Sequence, residues 1–196
     1  MSAALKHIRT VIEKNGPLTV GAYMDMVLQH PEFGYYRSGD PIGREGDFVT
    51  APEVSQMFGE MIGLWCADVW RQMGKPEQFT LLELGPGRGT LMQDAMRATA
   101  RLQDFQKAMT LCLLESNETL QKAQREKLKD HNPQFLNNVD LPDAPVIVVA
   151  NEFFDALPVR QFEKGFNGWQ ERKVIVQDEK LAFTLSPLEP IFAQLI

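Results

Sequence analysis

The segment that most constrains this chain is Leu81-Leu82-Glu83-Leu84-Gly85-Pro86-Gly87-Arg88-Gly89-Thr90, an apolar strand that ends in an acid and runs through a glycine-rich turn into a helix. Such a turn lets a ligand approach the backbone, because glycine has no Cβ in the way. The glycines stand at 85, 87 and 89, whereas a dinucleotide fingerprint would place its third glycine at 90, which is Thr. The spacing predicts a related site for a different cofactor; a turn that serves packing alone is the alternative. Glu83 suits a ligand with a positive group, since a carboxylate there would repel phosphate oxygens.

From residue 79 the pattern alternates apolar strand with amphipathic helix, the signature of a parallel sheet with crossover helices. Strands are expected at 79–84, at 111–114, weakly before residue 142, and at 146–150, the last a β-branched run expected to be a central strand buried on both faces. Helices are expected at about 90–105, with Leu91, Ala95, Ala98, Leu102 and Phe105 on one stripe, and at 117–129. Residues 159–162, 171–176 and 181–185, separated by Gly165, Gly168 and Asp178-Glu179-Lys180, read as an antiparallel extension.

Before residue 76 the chain reads as helical around one long loop punctuated by Gly39, Pro41, Gly43 and Gly46. The strongest helix spans 53–73, with Val54, Met57, Phe58, Met61, Ile62, Trp65, Val69 and Met73 as its apolar face and Met57, Met61 and Met73 as core. Thr50 and Glu53 fit a capping box better than a ligand site. The expected organisation is a helical region at 1–76, a cofactor-binding core at 77–158 and an antiparallel extension at 159–196.

Two further groups carry chemistry. Glu115 ends the second strand, where its carboxylate can accept hydrogen bonds from both ribose hydroxyls of a nucleoside, or simply be a solvated strand end. Ala150-Asn151-Glu152-Phe153-Phe154-Asp155-Ala156-Leu157-Pro158 follows the fourth strand, on the edge of the sheet where ligands of α/β folds bind. Its carboxylates, amide and phenylalanines could hold a cationic, planar group. The plainer alternative makes Phe153 and Phe154 core, gives Asn151 and Asp155 to the turn and points Glu152 at solvent.

Twenty Lys and Arg against 26 Asp and Glu give a net charge of -6, so the protein's field disfavours sequence-independent binding to nucleic acid or anionic lipid. The longest apolar run, 146–150, is far short of the ~18 residues of a membrane span. The N-terminus is amphipathic, with Lys6, Arg9, Glu13 and Lys14 among Leu5, Ile8 and Ile12, and lacks the apolar stretch of a secretory signal, which suggests a cytoplasmic or already processed protein. Cys66 and Cys112 lie in apolar surroundings without metal-ligand spacing; buried free thiols and no metal are expected.

The segments 46–60, 82–91 and 150–159 together resemble the MidA family, class I S-adenosylmethionine-dependent methyltransferases whose mitochondrial members assist assembly of respiratory complex I by methylating arginine on a subunit. The resemblance implies a Rossmann-like class I methyltransferase sheet, with Glu83, Gly85, Pro86, Gly87 and Gly89 flanking the methionine part of the cofactor and Glu115 at the ribose. Asn151 to Asp155 would face the methyl group and the substrate. Where the family shows a Trp-containing stretch before the fourth strand, this chain reads Phe135-Leu136-Asn137-Asn138-Val139-Asp140-Leu141-Pro142. Family members are longer and a complete sheet has seven strands, so the four strands expected here make the sheet incomplete and the chain an N-terminal portion or a truncated relative.

If arginine is the nucleophile, carboxylates must hold its guanidinium while a nitrogen turns toward the methyl group. Glu152 and Asp155 are the candidates, with Asp47 as a third or as a solvated loop carboxylate. The implied substrate is a protein, of the complex I subunit type, with the cytoplasm as location for a bacterial protein and the mitochondrial matrix for a processed eukaryotic one. Two competing readings are a non-catalytic cofactor-binding or assembly module and a nicotinamide-dependent oxidoreductase.

Overall fold

A computed structural model describes residues 2–35, 51–139, 141, 143–166 and 168–192. Asp47 and Thr50 lie outside the described residues. In chain order the elements are α1 (Ala3–Asn15), β1 (Leu18–Thr19), α2 (Val20–Gln29), α3 (Ala51–Val54), α4 (Gln56–Gln72), β2 (Phe79–Leu84), α5 (Thr90–Thr99), α6 (Gln103–Ala108), β3 (Met109–Leu114), α7 (Glu118–Lys127), β4 (Gln134–Leu136), β5 (Val146–Val149), β6 (Phe162–Gly165), β7 (Gly168–Gln177) and β8 (Lys180–Pro187). They divide into two units, residues 40–154 and residues 1–39 with 155–196.

The unit 40–154 is built on β2, all six of whose residues are buried. Its sheet has the order β4-β3-β2-β5 with every pairing parallel. Side chains alternate across the pleat. Phe79 and Leu81 join Cys66 and Trp70 of α4, Met92, Ala95 and Met96 of α5, and Phe105 of α6 in the main core. Leu82 and Leu84 face the other way, with Cys112, Leu136, Val146 and Phe153. Strand order reverses between β2 and β5: β3 and β4 add on one side of β2, and β5 on the other. The carboxyl ends flanking such a reversal are where open α/β sheets bind ligands.

Several expectations are corrected here. The helix expected over 53–73 is two helices broken at Ser55, and much of its large apolar face is not core: Met57 is 67% exposed, Met61 61% and Trp65 55%, while Ile62 and Val69 do pack against the main core. Residues Gly59, Gly63, Cys66, Ala67 and Trp70 are buried instead. A Cβ on Gly63 would lie 2.6 Å from the Ala95 backbone, so α4 meets α5 through its small residues and turns its methionines outward. The helix expected over 90–105 breaks between α5 and α6, leaving Leu102 exposed. β5 is an edge of the described sheet, with Val148 48% exposed, rather than a central strand. Both cysteines are free and buried, and burial pushes the Cys66 thiol up to about 11.

In the other unit β7 is the long central strand, pairing antiparallel with β6 and β1 and with β8. The first of these strands starts at Phe162, later than the expected 159–162, and β1 was not foreseen. Asp178 and Glu179 both have positive φ, as the tight turn between paired Gln177 and Lys180 requires. Ile8 and Ile12 of α1, Leu18 and Val174 form the core. Ser2 and Thr19 cap α1 and α2 by accepting from the backbone N–H of Leu5 and Ala22.

Candidate cofactor site

The glycine turn leaves β2 while still tied to the sheet, the Gly85 N–H donating to the Leu114 carbonyl at 3.0 Å. Gly85, Gly87 and Gly89 all have left-handed φ, at 63°, 54° and 74°, which side chains with a Cβ adopt only with strain. Gly89 stands at the N-cap of α5 and provides no capping side chain. The first turn of α5 thus has no side-chain cap, and an uncapped helix N-terminus is a favourable place for an anionic group.

Glu83, two residues before the turn, is 2% exposed, and its Oε2 has no hydrogen-bond partner among the described residues. Burial alone pushes its carboxyl up to about 8. An unpaired buried polar group costs ~1–3 kcal/mol, so an acid held this way at the mouth of a glycine turn is suited to a cationic ligand group that would satisfy it.

Behind the turn sits a residue that the sequence did not single out. The Gln124 amide of α7 donates to the Gly87 carbonyl at 2.6 Å and to Glu115 Oε2 at 3.3 Å. Its Cγ lies 3.3 Å from where a Cβ on Gly89 would be. Glu115 itself accepts from the Asn117 N–H at 2.8 Å through Oε1, and its backbone carbonyl accepts from Gln121 Nε2 at 2.7 Å. The turn is fastened from a third side by Thr90, whose hydroxyl donates to Glu53 Oε1 at 2.6 Å and accepts from Lys127 Nζ at 2.7 Å. Glu53 thus reaches the start of α5, a contact that nothing in its local sequence signals.

Of the segment after β5, Phe153 packs on the turn: a Cβ on Gly85 would lie 2.6 Å from its ring. Phe154 is 64% exposed and meets Phe153 edge to face, so only the first phenylalanine is partly core. Asn151 is half-buried; Glu152 is exposed and holds a left-handed φ of 50°, an uncommon state for a non-glycine residue. Asp155 is exposed in the short helical turn Phe154–Ala156, at the unit boundary. The structure thus brings Glu83, the glycines, Glu115 and Phe153 around one turn.

The family model described as "Putative S-adenosyl-L-methionine-dependent methyltransferase" matches residues 61–195, well over half of the chain. The chain belongs to this family. It is 38% identical over 211 aligned residues to the protein arginine methyltransferase NDUFAF7, mitochondrial, of Bos taurus, and 37% to that of Homo sapiens, each alignment covering 93% of this chain and 48% of the relative. Among solved structures it is similar to a Burkholderia thailandensis protein crystallised with S-adenosyl-homocysteine bound, with TM-score 0.79 and 29% identity over 98% of this chain and 52% of that one. The native crystal structure of a protein from the same organism matches with TM-score 0.75. The chain spans about half the length of these relatives. Membership of this family accords with the parallel sheet and glycine turn, and with the Thr at 90 that departs from the dinucleotide fingerprint.

No helix among the described residues is long and apolar enough to cross a membrane. No group of three or more His, Cys, Asp or Glu among them could hold a metal ion.

Proposed function

We propose that this chain binds S-adenosylmethionine at the carboxyl ends of β2 and β5 and that the whole protein transfers its methyl group to arginine of a protein substrate. The observation that carries the reading is the buried, unpartnered Glu83 directly before three left-handed glycines. The residues fit the cofactor. Glu83 would accept the ammonium of its methionine part, the glycines from 85 to 89 with Pro86 would pass close beneath it, and Glu115 would accept from the ribose hydroxyls. Asn151, half-buried after β5, would line the same edge.

Bound there, the cofactor supplies an electrophilic methyl group on a sulfonium. As its carbon–sulfur bond breaks, a carbon–nitrogen bond forms on the guanidine, and the displaced proton leaves to solvent or to a carboxylate. The protein's part is alignment and exclusion of water. Glu152 and Asp155 would hold the guanidinium beside the methyl group, and Asp47 would be a third carboxylate. A respiratory complex I subunit is the protein substrate in this reading, in the mitochondrial matrix for a eukaryotic source and the cytoplasm for a bacterial one.

Calorimetric titration with S-adenosylmethionine and S-adenosyl-homocysteine tests the cofactor step. Micromolar binding is expected, and Gly87→Val should abolish it while leaving the circular dichroism spectrum intact. Equal affinity in that variant would sink the reading. Binding without transfer of radiolabelled methyl to arginine-containing protein would instead support a cofactor-binding module without turnover.

A further inference from the structure

Gln124 is the buried residue of α7, an otherwise polar helix, and it is 0% exposed. A surface helix ordinarily buries apolar side chains, and a buried amide is retained where its hydrogen bonds matter. Here the two N–H bonds of one amide go to two separate parts of the site, the Gly87 carbonyl at 2.6 Å and Glu115 Oε2 at 3.3 Å. Its Oε1 is left buried without a partner among the described residues. The side chain is therefore placed for what its nitrogen does. The backbone N–H of Asn117 meets the other oxygen of Glu115, so donors on both oxygens fix the plane of that carboxylate.

We infer that Gln124 is a positioning residue that locks the Glu115 carboxylate in the orientation needed to read the cofactor's ribose hydroxyls and ties that orientation to the glycine turn. The inference rests on the cofactor reading above, and adds that ribose recognition depends on α7. A purely structural Gln124 would support both ends of the cofactor alike. A positioning one affects the ribose end more than the methionine end.

The experiment compares the affinity of the full chain for S-adenosyl-homocysteine with that for its 2′-deoxy analogue, in wild type and in Gln124→Met, which keeps the length and removes both donors. Wild type should prefer the ribose form by ~10-fold or more, the value of a hydrogen bond to a charged group. In Gln124→Met the preference should collapse to within about 3-fold, because both ligands share the loss of the Gly87 bond but only the ribose form also loses the oriented Glu115 carboxylate. If Gln124→Met does not fold, Gln124→Leu is read instead, which also removes both donors and should give the same collapse. Equal weakening of both ligands, or an unchanged preference, would overturn the positioning role alone. A wild type that binds both forms equally would overturn ribose reading by Glu115 and the inference with it. A wild type that binds neither would overturn the cofactor reading itself.

Discussion

The two units each bury a glutamate, and they treat it in opposite ways. Glu171 on β7 is 0% exposed and is gripped by Arg160, with Nε at 2.6 Å and Nη2 at 2.7 Å from its two oxygens. The same guanidinium stacks 3.7 Å over the Phe192 ring. Glu83 on β2 is 2% exposed and has an oxygen, Oε2, with no hydrogen-bond partner among the described residues. A buried charge that is fully paired is part of the framework, because removing either partner strands the other. A buried acid with an unpaired oxygen, its carboxyl pushed up to about 8 by burial, is what the proposed function takes as the seat of a cationic ligand group. Burial by itself does not separate structure from function; partnership does.

The sharpest way to break this contrast is to remove the partner of Glu171. Arg160→Met should destabilise the protein by up to ~3–5 kcal/mol in urea unfolding, since Glu171 then keeps only the longer 3.8 Å contact with Lys173 Nζ among the described residues, and adding Glu171→Leu should recover much of that loss. If Arg160→Met alone is neutral, the pair is not framework. Next in size is the contact that sets α4 against α5. Gly63→Val should cost ~3 kcal/mol by overpacking against the Ala95 backbone, seen as a lowered melting temperature with no change in the antiparallel unit's hydrogen exchange.

Glu83 should behave differently from both. Glu83→Gln should weaken S-adenosyl-homocysteine binding by ~10- to 100-fold, about 1.5–3 kcal/mol, without lowering apo stability. Because its folded pKa is raised to about 8, the apo protein binds more protons than the unfolded chain between the usual carboxylate range and that value. Its contribution to stability is therefore full below about pH 4.5 and is lost as pH rises through about 8, a slope that Glu83→Gln should flatten in denaturation midpoints taken across that window. At pH 7 binding of a ligand ammonium should release up to ~1 proton, measured by titration in buffers of different ionisation heat and absent from the variant. The smallest effect is expected on the outward face of α4. Met61→Gln should change stability by no more than ~0.5 kcal/mol, whereas the ~2–5 kcal/mol of a core truncation would return that face to the interior.

The glycine turn, the acid before it and the alternation of strand and helix could all be read along the chain, because each is a local pattern: a φ that only glycine takes easily, or an apolar period that matches one element. Packing partners could not. The large apolar side chains of α4 follow a helical period as well as any core face, yet Gly59 and Gly63 decide which side meets α5, since a Cβ on either would strike its neighbour at 2.6 or 2.7 Å. Gln124 gives no local sign that it will reach Gly87, nor Glu53 that it will meet Thr90, because each contact spans 37 residues of chain.

By itself the sequence determined the strand–glycine–helix junction at 79–90, the acids Glu83 and Glu115 at strand ends, and the parallel-then-antiparallel order of elements. Only the tertiary structure decided that Glu83 is left unpaired while Glu171 is not, that β5 lies at an edge of the described sheet, and that α7 fastens the turn to Glu115. The physical reason is common to all three. Periodicity and backbone preference act over a few residues, whereas desolvation, close approach and hydrogen-bond partnership are settled between segments that meet only after the chain has folded.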